Sequence, residues 1–238
     1  MEQQTGMKEA AGRAAVDALV HSGMKLGLGT GSTAIHAIRR VGELLAQGAL
    51  KDISAFATSF QSEIECEKLG IPFYPLNARE LSGSLDLTID GADEVDPHNR
   101  LIKGGGGALL IEKIAAYASA AYAITVDESK IVGSLGTGFP VPVEVVPAAR
   151  VSAGKALEAL GATVTLREAL RKAGPVITEH GNLILDIRFP SPVDPAEMEN
   201  NINHIPGVVE NGFFTRITPV VYIARSNGTV EVRGVSNK

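Results

Sequence analysis

Residues 27–33, GLGTGST, combine glycines and hydroxyls after an apolar run and before a helix-period segment. Glycines let the backbone approach an anion closely, while the hydroxyls and the first amides of a helix face it. The loop therefore predicts a phosphate-binding site, although it lacks the GK[ST] ending of a P-loop and has Thr33 where the dinucleotide fingerprint needs glycine or alanine. An ordinary strand-to-helix turn, with Ser32 as the N-cap, is the alternative.

Four carboxylates follow a second candidate strand within seven residues: Asp90, Asp93, Glu94 and Asp96. This density exceeds what a turn requires and indicates binding of sugar hydroxyls or of a metal. The spacing does not match a calcium loop, but Mg²⁺ held by one or two of these carboxylates and a phosphate stays open as an alternative. The structural alternative is an acidic solvent-facing loop in which Asp90 caps the turn, and Asp96, which precedes Pro97, is expected to belong to such a loop.

Lys103 precedes four consecutive glycines, residues 104–107. Ordering four glycines costs more conformational entropy than a simple connection justifies, which indicates close backbone approach to a ligand. Lys103 and the amides ahead of the next helix could stabilise a negative oxygen that develops in a transition state. A solvated surface lysine is the alternative for Lys103.

Glu112 and Lys113 are the two charged residues of an otherwise apolar helical segment, residues 108–116. The side chains that neighbour Glu112 on a helical wheel are small: Ala108, Ala115, Ala116 and Ser119. Such a face lets another element or a ligand lie close, and a partly desolvated carboxylate there is a better base at neutral pH. In the alternative, both charges mark the exposed edge of the helix.

The remaining reactive residue types are scattered. Lys130 follows another strand end and either reaches a phosphate or lies at a solvated domain boundary, and Lys8 stands alone in the first helical stretch. Cys66 has no second cysteine to pair with and is predicted to be structural. The five histidines fall in no metal-binding spacing and pair locally with no serine or cysteine.

Short apolar runs alternate with helix-period segments from residue 24 to residue 126. This rhythm predicts βα units stacked around a parallel sheet, hence an α/β fold. Because ligands collect at the carboxyl ends of such strands, the loops GTGST, DGADE and KGGGG are expected to share one crevice.

A Gly- and Pro-rich stretch from residue 133 predicts a hinge, after which strand-like and helix-like segments follow in the order β-α-β-β-α-β. Residues 175–180 and 183–189 are expected to pair as strands joined at Gly181-Asn182. We therefore predict a ferredoxin-like α+β domain, residues 133–209, inserted into a first domain of residues 1–132 plus 210–238. The C-terminal segment, residues 218–234, is predicted to be a hairpin that turns at Asn227-Gly228 and completes the first domain.

A formal charge of −5 and a pI near 5.6 leave no basic field for a polyanion, so no nucleic-acid partner is expected. The N-terminus lacks the basic start and apolar run of a secretory signal, and no stretch approaches the roughly 20 apolar residues that span a bilayer. We expect a soluble, cytoplasmic protein without a membrane partner.

In their order and spacing, GTGST, DGADE, KGGGGALLIEK, TVDESK and PVEVVP resemble the ribose-5-phosphate isomerase family of type A along nearly the whole chain. The resemblance implies a Rossmann-like domain with a smaller α/β domain, a homodimer or homotetramer, a phosphosugar substrate and no cofactor or metal. It also implies an aldose–ketose isomerase of the non-oxidative pentose phosphate pathway, interconverting D-ribose 5-phosphate and D-ribulose 5-phosphate through a cis-enediolate.

Carried over by residue, the family's base falls on Glu112, with Asp90, Asp93 and Lys103 as further catalytic residues. Asp90 would exchange protons with the sugar hydroxyls, Asp93 would orient them, and Lys103 would offset the enediolate charge. The substrate-binding positions implied by the resemblance are Thr30, Gly31, Ser32, Thr33, Asp90, Gly91, Ala92, Asp93, Lys103, Gly104, Gly105, Gly106, Lys130 and Lys8.

Two other functions remain open at this point. A non-enzymatic phosphosugar sensor on a related fold would keep the phosphate loop but would not need a base such as Glu112. An amino-sugar isomerase or a lactonase would be expected to use a catalytic histidine, and none of the histidines lies in the motif loops. The small domain either shields the enediolate from water or builds the oligomer.

Overall fold

The structure, a computed structural model, describes residues 2–234. Its helices are α1 Glu2–Leu19, α2 Ala34–Ala46, α3 Phe60–Leu69, α4 Leu109–Tyr117, α5 Arg150–Ala159 and α6 Pro195–Asn203. Its strands are β1 Lys25–Leu28, β2 Ser54–Ala57, β3 Leu85–Asp90, β4 Glu94–Val95, β5 Leu101–Ile102, β6 Ser119–Asp127, β7 Val141–Val145, β8 Thr163–Leu166, β9 Leu183–Arg188, β10 Val208–Asn211, β11 Phe213–Phe214, β12 Val220–Ala224 and β13 Val230–Arg233. No helix in this described part is long and apolar enough to cross a membrane.

The first of two compact units holds a six-stranded sheet in the order β13-β12-β6-β3-β1-β2. Neighbouring strands are parallel except β13, which runs antiparallel to β12 at the edge. The apolar stripe of α2 faces the core with Ala34, Ala37, Ile38 and Val41 buried, the spacing of one helical face. The predicted Rossmann-like arrangement of βα units around a parallel sheet is confirmed.

The second unit holds a four-stranded antiparallel sheet in the order β10-β7-β9-β8, with α5 and α6 in the connections. In chain order this is fourth-first-third-second, the strand order of a ferredoxin-like fold. The predicted α+β insert is confirmed. The predicted strand pair of residues 175–180 with 183–189 is reduced to the isolated antiparallel bridge Ile177–Leu183 around a tight turn. Pro175 bridges Glu168 instead, and the neighbour with which β9 forms a ladder on this side is β8.

The two units divide the chain at other residues than the predicted domains of 1–132 plus 210–238 and 133–209. The first unit comprises the chain up to Ala92, Ile111–Lys130 and the chain from Ile217; the second comprises Asp93–Leu110 and Ile131–Arg216. Residue 1 and residues 235–238 of the predicted first domain lie outside the described residues. The 93–110 segment joins the second unit because β4, β5 and β11 form an antiparallel sheet there.

The C-terminal hairpin is confirmed. β12 and β13 pair antiparallel around a turn in which Gly228 has a φ of +87°, a conformation that glycine adopts without steric cost. β12 also pairs in parallel with β6, so this last segment extends the sheet of the first unit.

Candidate active site

In the first unit, β1, β3 and β6 are parallel neighbours, so their carboxyl ends meet at one edge of the sheet. The glycine-hydroxyl loop follows β1, Asp90 ends β3, and Lys130 ends a short 3₁₀ turn directly after β6. The fold therefore brings these predicted site residues to the same edge.

Asp90 braces the loop after β1. Its Oδ1 accepts hydrogen bonds from the backbone N–H of Thr30 at 3.0 Å and of Gly91 at 2.7 Å, and the side chain is buried. A Cβ on Gly29 would lie 2.1 Å from Asp90 Oδ1, so only glycine fits there. Gly31, with a φ of +104°, also requires glycine's backbone freedom. The loop after β1 is thus held by a buried carboxylate, and Asp90 does not cap a solvent-facing turn.

The loop ends in a hydroxyl paired with a cation. Lys8 Nζ donates a hydrogen bond to Ser32 Oγ at 2.8 Å. The N-cap of α2 is Thr33, without a side-chain cap hydrogen bond, so the alternative of Ser32 as an N-cap is wrong. An ammonium, a hydroxyl and the N-terminus of a 13-residue helix together suit an anion such as a phosphate.

Glu112 lies in the first turn of α4 and is only 3% exposed. Lys113 is buried to the same extent, so these charges do not mark an exposed helix edge. Ala115 and Ala116, on the face predicted to be small, are fully buried. The structure thus gives Glu112 the desolvated surroundings that a general base needs.

In the second unit, Asp93 supports the glycine loop. The N–H of Gly105 donates to Asp93 Oδ2 at 2.7 Å, and a Cβ on Gly105 would lie 2.5 Å from Asp93 Oδ1. Lys103 is 2% exposed with its Nζ 5.7 Å from the centre of the Phe214 ring, so it is not a surface lysine. Gly105 and Gly106 are exposed, which leaves their backbone accessible to a ligand.

The other two carboxylates of the acidic segment are structural. Glu94 accepts three backbone N–H groups, from Gly136, Gly138 and Phe139, each at 2.6 Å. Asp96 closes a turn by accepting the N–H groups of His98 and Arg100, and because it is buried, the expectation that it lies in a solvent-facing loop is wrong. Among the residues that the structure describes, no group of three or more His, Cys, Asp or Glu side chains is arranged to hold a metal ion.

Comparison with known proteins adds to this geometry. The family described as ribose 5-phosphate isomerase A (phosphoriboisomerase A) matches residues 54–228. The chain belongs to the ribose 5-phosphate isomerase A family. It is 53% identical to the ribose-5-phosphate isomerase A of Treponema denticola, over 94% of this chain and 97% of that protein. It is 50% identical to that of Treponema pallidum, over 98% and 94%.

Solved structures agree with the family assignment. The ribose 5-phosphate isomerase A of Methanocaldococcus jannaschii superposes with a TM-score of 0.89 at 41% identity, covering 95% of this chain and 97% of that one. The family's enzymes are aldose–ketose isomerases, and this chain is an enzyme of that class acting on a phosphosugar.

For this isomerase-family chain, the sequence did not single out several residues that shape the loops. Thr30 Oγ1 lies 2.7 Å from both Thr58 Oγ1 and Ser59 Oγ, and Gln61 Oε1 accepts from the N–H of Gly31 at 3.0 Å. Their signal was a polar run directly after β2, which neighbours β1. Arg167, which contacts the glycine loop, gave no local signal.

Proposed function

We propose that this chain interconverts ribose 5-phosphate and ribulose 5-phosphate, in the non-oxidative pentose phosphate pathway, with Glu112 as the base. The burial of Glu112 in an apolar helix carries the proposal. Removing the C2 proton of the aldose gives a cis-enediolate, and returning that proton to C1 gives the ketose. One carboxylate can carry the proton from C2 to C1, because these two carbons are bonded to each other.

The second element of the proposal is charge stabilisation. Lys103 and the amides of Gly104 and Gly106 offset the negative charge of the enediolate, which is usually the largest contribution in enolate chemistry, while the Gly105 N–H is donated to Asp93. Asp90 exchanges protons with the sugar hydroxyls, including during ring opening, while Asp93 orients them.

The phosphate anchors the substrate in this proposal. The residues proposed to contact it or to line its approach are Lys8, Thr30, Gly31, Ser32, Thr33, Gly91, Ala92 and Lys130. The 2.8 Å hydrogen bond between Lys8 and Ser32 and the helix N-terminus beside it support this assignment. Phosphate binding energy then holds the sugar carbons against the base.

A relative supports the ligand class. A D-ribose-5-phosphate isomerase solved in complex with phospho-erythronic acid superposes with a TM-score of 0.90 at 40% identity, covering 95% of this chain and 97% of that one. That acid joins a phosphate to a carboxylate, and the two carboxylate oxygens resemble the two oxygens of a cis-enediolate. We expect this chain to bind the same compound.

The deciding experiment compares wild type with Glu112→Gln in D₂O that contains a chelator. We expect the wild type to form ribulose 5-phosphate and to exchange the C2 proton, and the variant to lose both by about 10²- to 10⁴-fold while still binding phospho-erythronic acid. Glu67→Gln, the same change at an exposed glutamate of α3, is the matched control.

Each departure has a definite meaning. A wild type that binds the sugar phosphate but gives neither signal would be a phosphosugar sensor. If Glu112→Gln remained active, the isomerase function would stand, but Glu112 would be rejected as its base. Turnover that stops in the chelator and returns with Mg²⁺ would establish the metal alternative.

We further propose a cytoplasmic homodimer or homotetramer, in which the inserted domain of residues 133–209 covers the reacting sugar or contributes to assembly. The family membership supports this proposal. Light scattering at micromolar concentration distinguishes a dimer or tetramer from a monomer, whose observation would reject the assembly.

A further inference from the structure

Arg167 is held in one orientation by Asp186 in the second unit. Arg167 directly follows β8, and its side chain reaches Asp186 on the adjacent strand β9. Nε donates to Asp186 Oδ2 at 2.8 Å and Nη2 to Oδ1 at 2.5 Å, a two-pronged ion pair that fixes the guanidinium plane. The side chains are only 14% and 20% exposed.

The remaining nitrogen of this guanidinium contacts the glycine loop. Arg167 Nη1 donates to the carbonyl oxygens of Gly104 at 3.0 Å and Gly105 at 3.1 Å. A glycine has no side chain that could pack and fix its peptide, and Gly105 is exposed. Within the loop, the N–H of Gly107 donates to the Gly104 carbonyl oxygen at 3.0 Å and closes a turn, and the hydrogen bonds from Arg167 and to Asp93 add the contacts from outside it.

The peptide between Gly104 and Gly105 is held from both sides. Its C=O accepts from Arg167, and its N–H donates to Asp93 Oδ2 at 2.7 Å. These two groups point in opposite directions, because a trans peptide is planar. A cation at the carbonyl and a carboxylate at the amide both align with the peptide dipole, so each hydrogen bond strengthens the other.

The carbonyl of Gly105 also faces Arg167, so the N–H of Gly106 points away from it by the same planarity. Two successive amides of the loop are thus directed away from the guanidinium, one of them onto Asp93. The Gly105 N–H is already donated to Asp93, so the Gly106 N–H is the amide that this arrangement presents to an oxygen that becomes negative during a reaction.

We propose that Arg167, oriented by Asp186, is a positioning residue for the isomerisation. It sets the direction of the Gly105 and Gly106 amides and, through the 104–105 peptide, the carboxylate of Asp93. This inference rests on the proposed function, because it assigns Arg167 a part in that reaction. Arg167 acts through the loop and is not a catalytic residue.

The test separates positioning from a structural ion pair. We expect Arg167→Gln to lower kcat by about 10- to 100-fold with KM changed less than about threefold, because a shift of about 1 Å in a catalytic group has that effect. Asp186→Asn should lower kcat in the same direction but less. Arg167→Lys should recover only part of the loss, since an ammonium cannot make the ion pair and both carbonyl contacts in one plane.

The matched control is Arg188→Gln, at the exposed end of the same strand β9, which should keep wild-type kcat. Circular dichroism and the melting temperature establish that each variant is folded. A folded Arg167→Gln with wild-type kcat and a lowered melting temperature would reduce the Arg167–Asp186 pair to a stabilising contact and overturn the proposal.

Ligand binding provides a readout that does not need turnover. Arg167→Gln should weaken phospho-erythronic acid about tenfold and leave the affinity for inorganic phosphate unchanged, because the proposed function assigns the loop to the enediolate oxygens and not to the phosphate. Equal affinity of variant and wild type for phospho-erythronic acid would reject positioning. A wild type without isomerase activity would reject the proposed function instead, and the two binding constants would still decide whether Arg167 orients the loop.

Discussion

At the scale of single residues, Gly29 shows how tightly the phosphate loop is built against Asp90. A Cβ there would lie 2.1 Å from the Asp90 carboxylate and 2.6 Å from its Cα, so neither the side chain nor the backbone can move aside easily. We expect Gly29→Ala to destabilise the fold by about 1–3 kcal/mol and to abolish most phosphosugar binding.

Urea denaturation and titration with phospho-erythronic acid measure both effects. Gly154→Ala is the control for replacing a glycine by alanine, because a Cβ at Gly154 would meet only Val164 Cγ1, at 4.0 Å. Wild-type affinity in Gly29→Ala would contradict the brace between Asp90 and the loop.

Cys66 is predicted to be inert in the folded protein. It is fully buried, and desolvation, together with the charges of Glu63 and Glu65, raises the pKa of its thiol to about 12. At pH 8 only about one thiol in 10⁴ is therefore a thiolate, the reactive form. A thiol-specific disulfide reagent should label the protein only after denaturation, and rapid labelling of the folded protein would contradict this burial.

Residue types and spacing led to the proposed site residues but not to the side chains that support them. Asp90, Asp93 and Ser32 lie in short motifs that can be read locally. Arg167 lies more than 60 positions from the glycines that it contacts and has no motif of its own. Its partners become visible only once β8 and β9 are paired.

At the scale of elements, two helical glycines lead to opposite expectations. A Cβ on Gly154, within α5, would make one ordinary van der Waals contact. A Cβ on Gly12, within α1, would instead lie 2.9 Å from the backbone N of Ala37 on α2, which is too close. Gly154→Ala should raise the free energy of unfolding by about 0.5–1 kcal/mol through helix propensity. Gly12→Ala should lower it by about 1–3 kcal/mol, because α1 and α2 must separate.

Chemical denaturation with circular dichroism at 222 nm checks both variants against wild type. The two substitutions are chemically identical, so the difference between their changes in the free energy of unfolding isolates the contact between α1 and α2. A change of the same sign in both variants would show that the approach of α1 to α2 at Gly12 does not limit stability.

Long elements were predictable because their hydrophobic period extends over several residues. The apolar runs and helix-period segments that alternate between residues 24 and 126 correspond to β1, α2, β2, α3, β3, α4 and β6. The strands β4, β5 and β11 have two residues each, too few for any period to appear. β4 and β5 pair across a short local turn, and β11 joins them from more than 100 residues further along the chain, which the sequence alone did not indicate.

At the scale of the whole molecule, the pairing of β4, β5 and β11 explains why the observed units and the predicted domains divide the chain at different residues. The sequence predicted residues 93–110 to belong to the first domain, yet Ile102 is buried in the core cluster of the second unit. The sequence contains the hydrophobic residues, but their assignment to one core or the other depends on contacts far apart in the chain.

Ligand binding should be measurable as a change in the stability of the whole chain. A compound that binds only the native state at 100 times its dissociation constant stabilises by about 2.7 kcal/mol. We expect phospho-erythronic acid at that concentration to raise the melting temperature by several degrees. Lys8→Gln removes the ammonium beside Ser32, and a tenfold loss of affinity would reduce the stabilisation to about half at the same ligand concentration.

Lys51→Gln, at an exposed lysine of the first unit, is the matched control and should keep the full shift. A control with sodium chloride replaces the ligand at the same ionic strength. Because exposed charges are screened equally by either solution, a rise in melting temperature with phospho-erythronic acid alone reports specific binding. If Lys8→Gln keeps the full shift, Lys8 does not hold the phosphate, and the anion site reduces to the loop and the helix N-terminus. If neither the variants nor the wild type shift, phospho-erythronic acid is not a ligand of this chain, and its proposed binding is wrong.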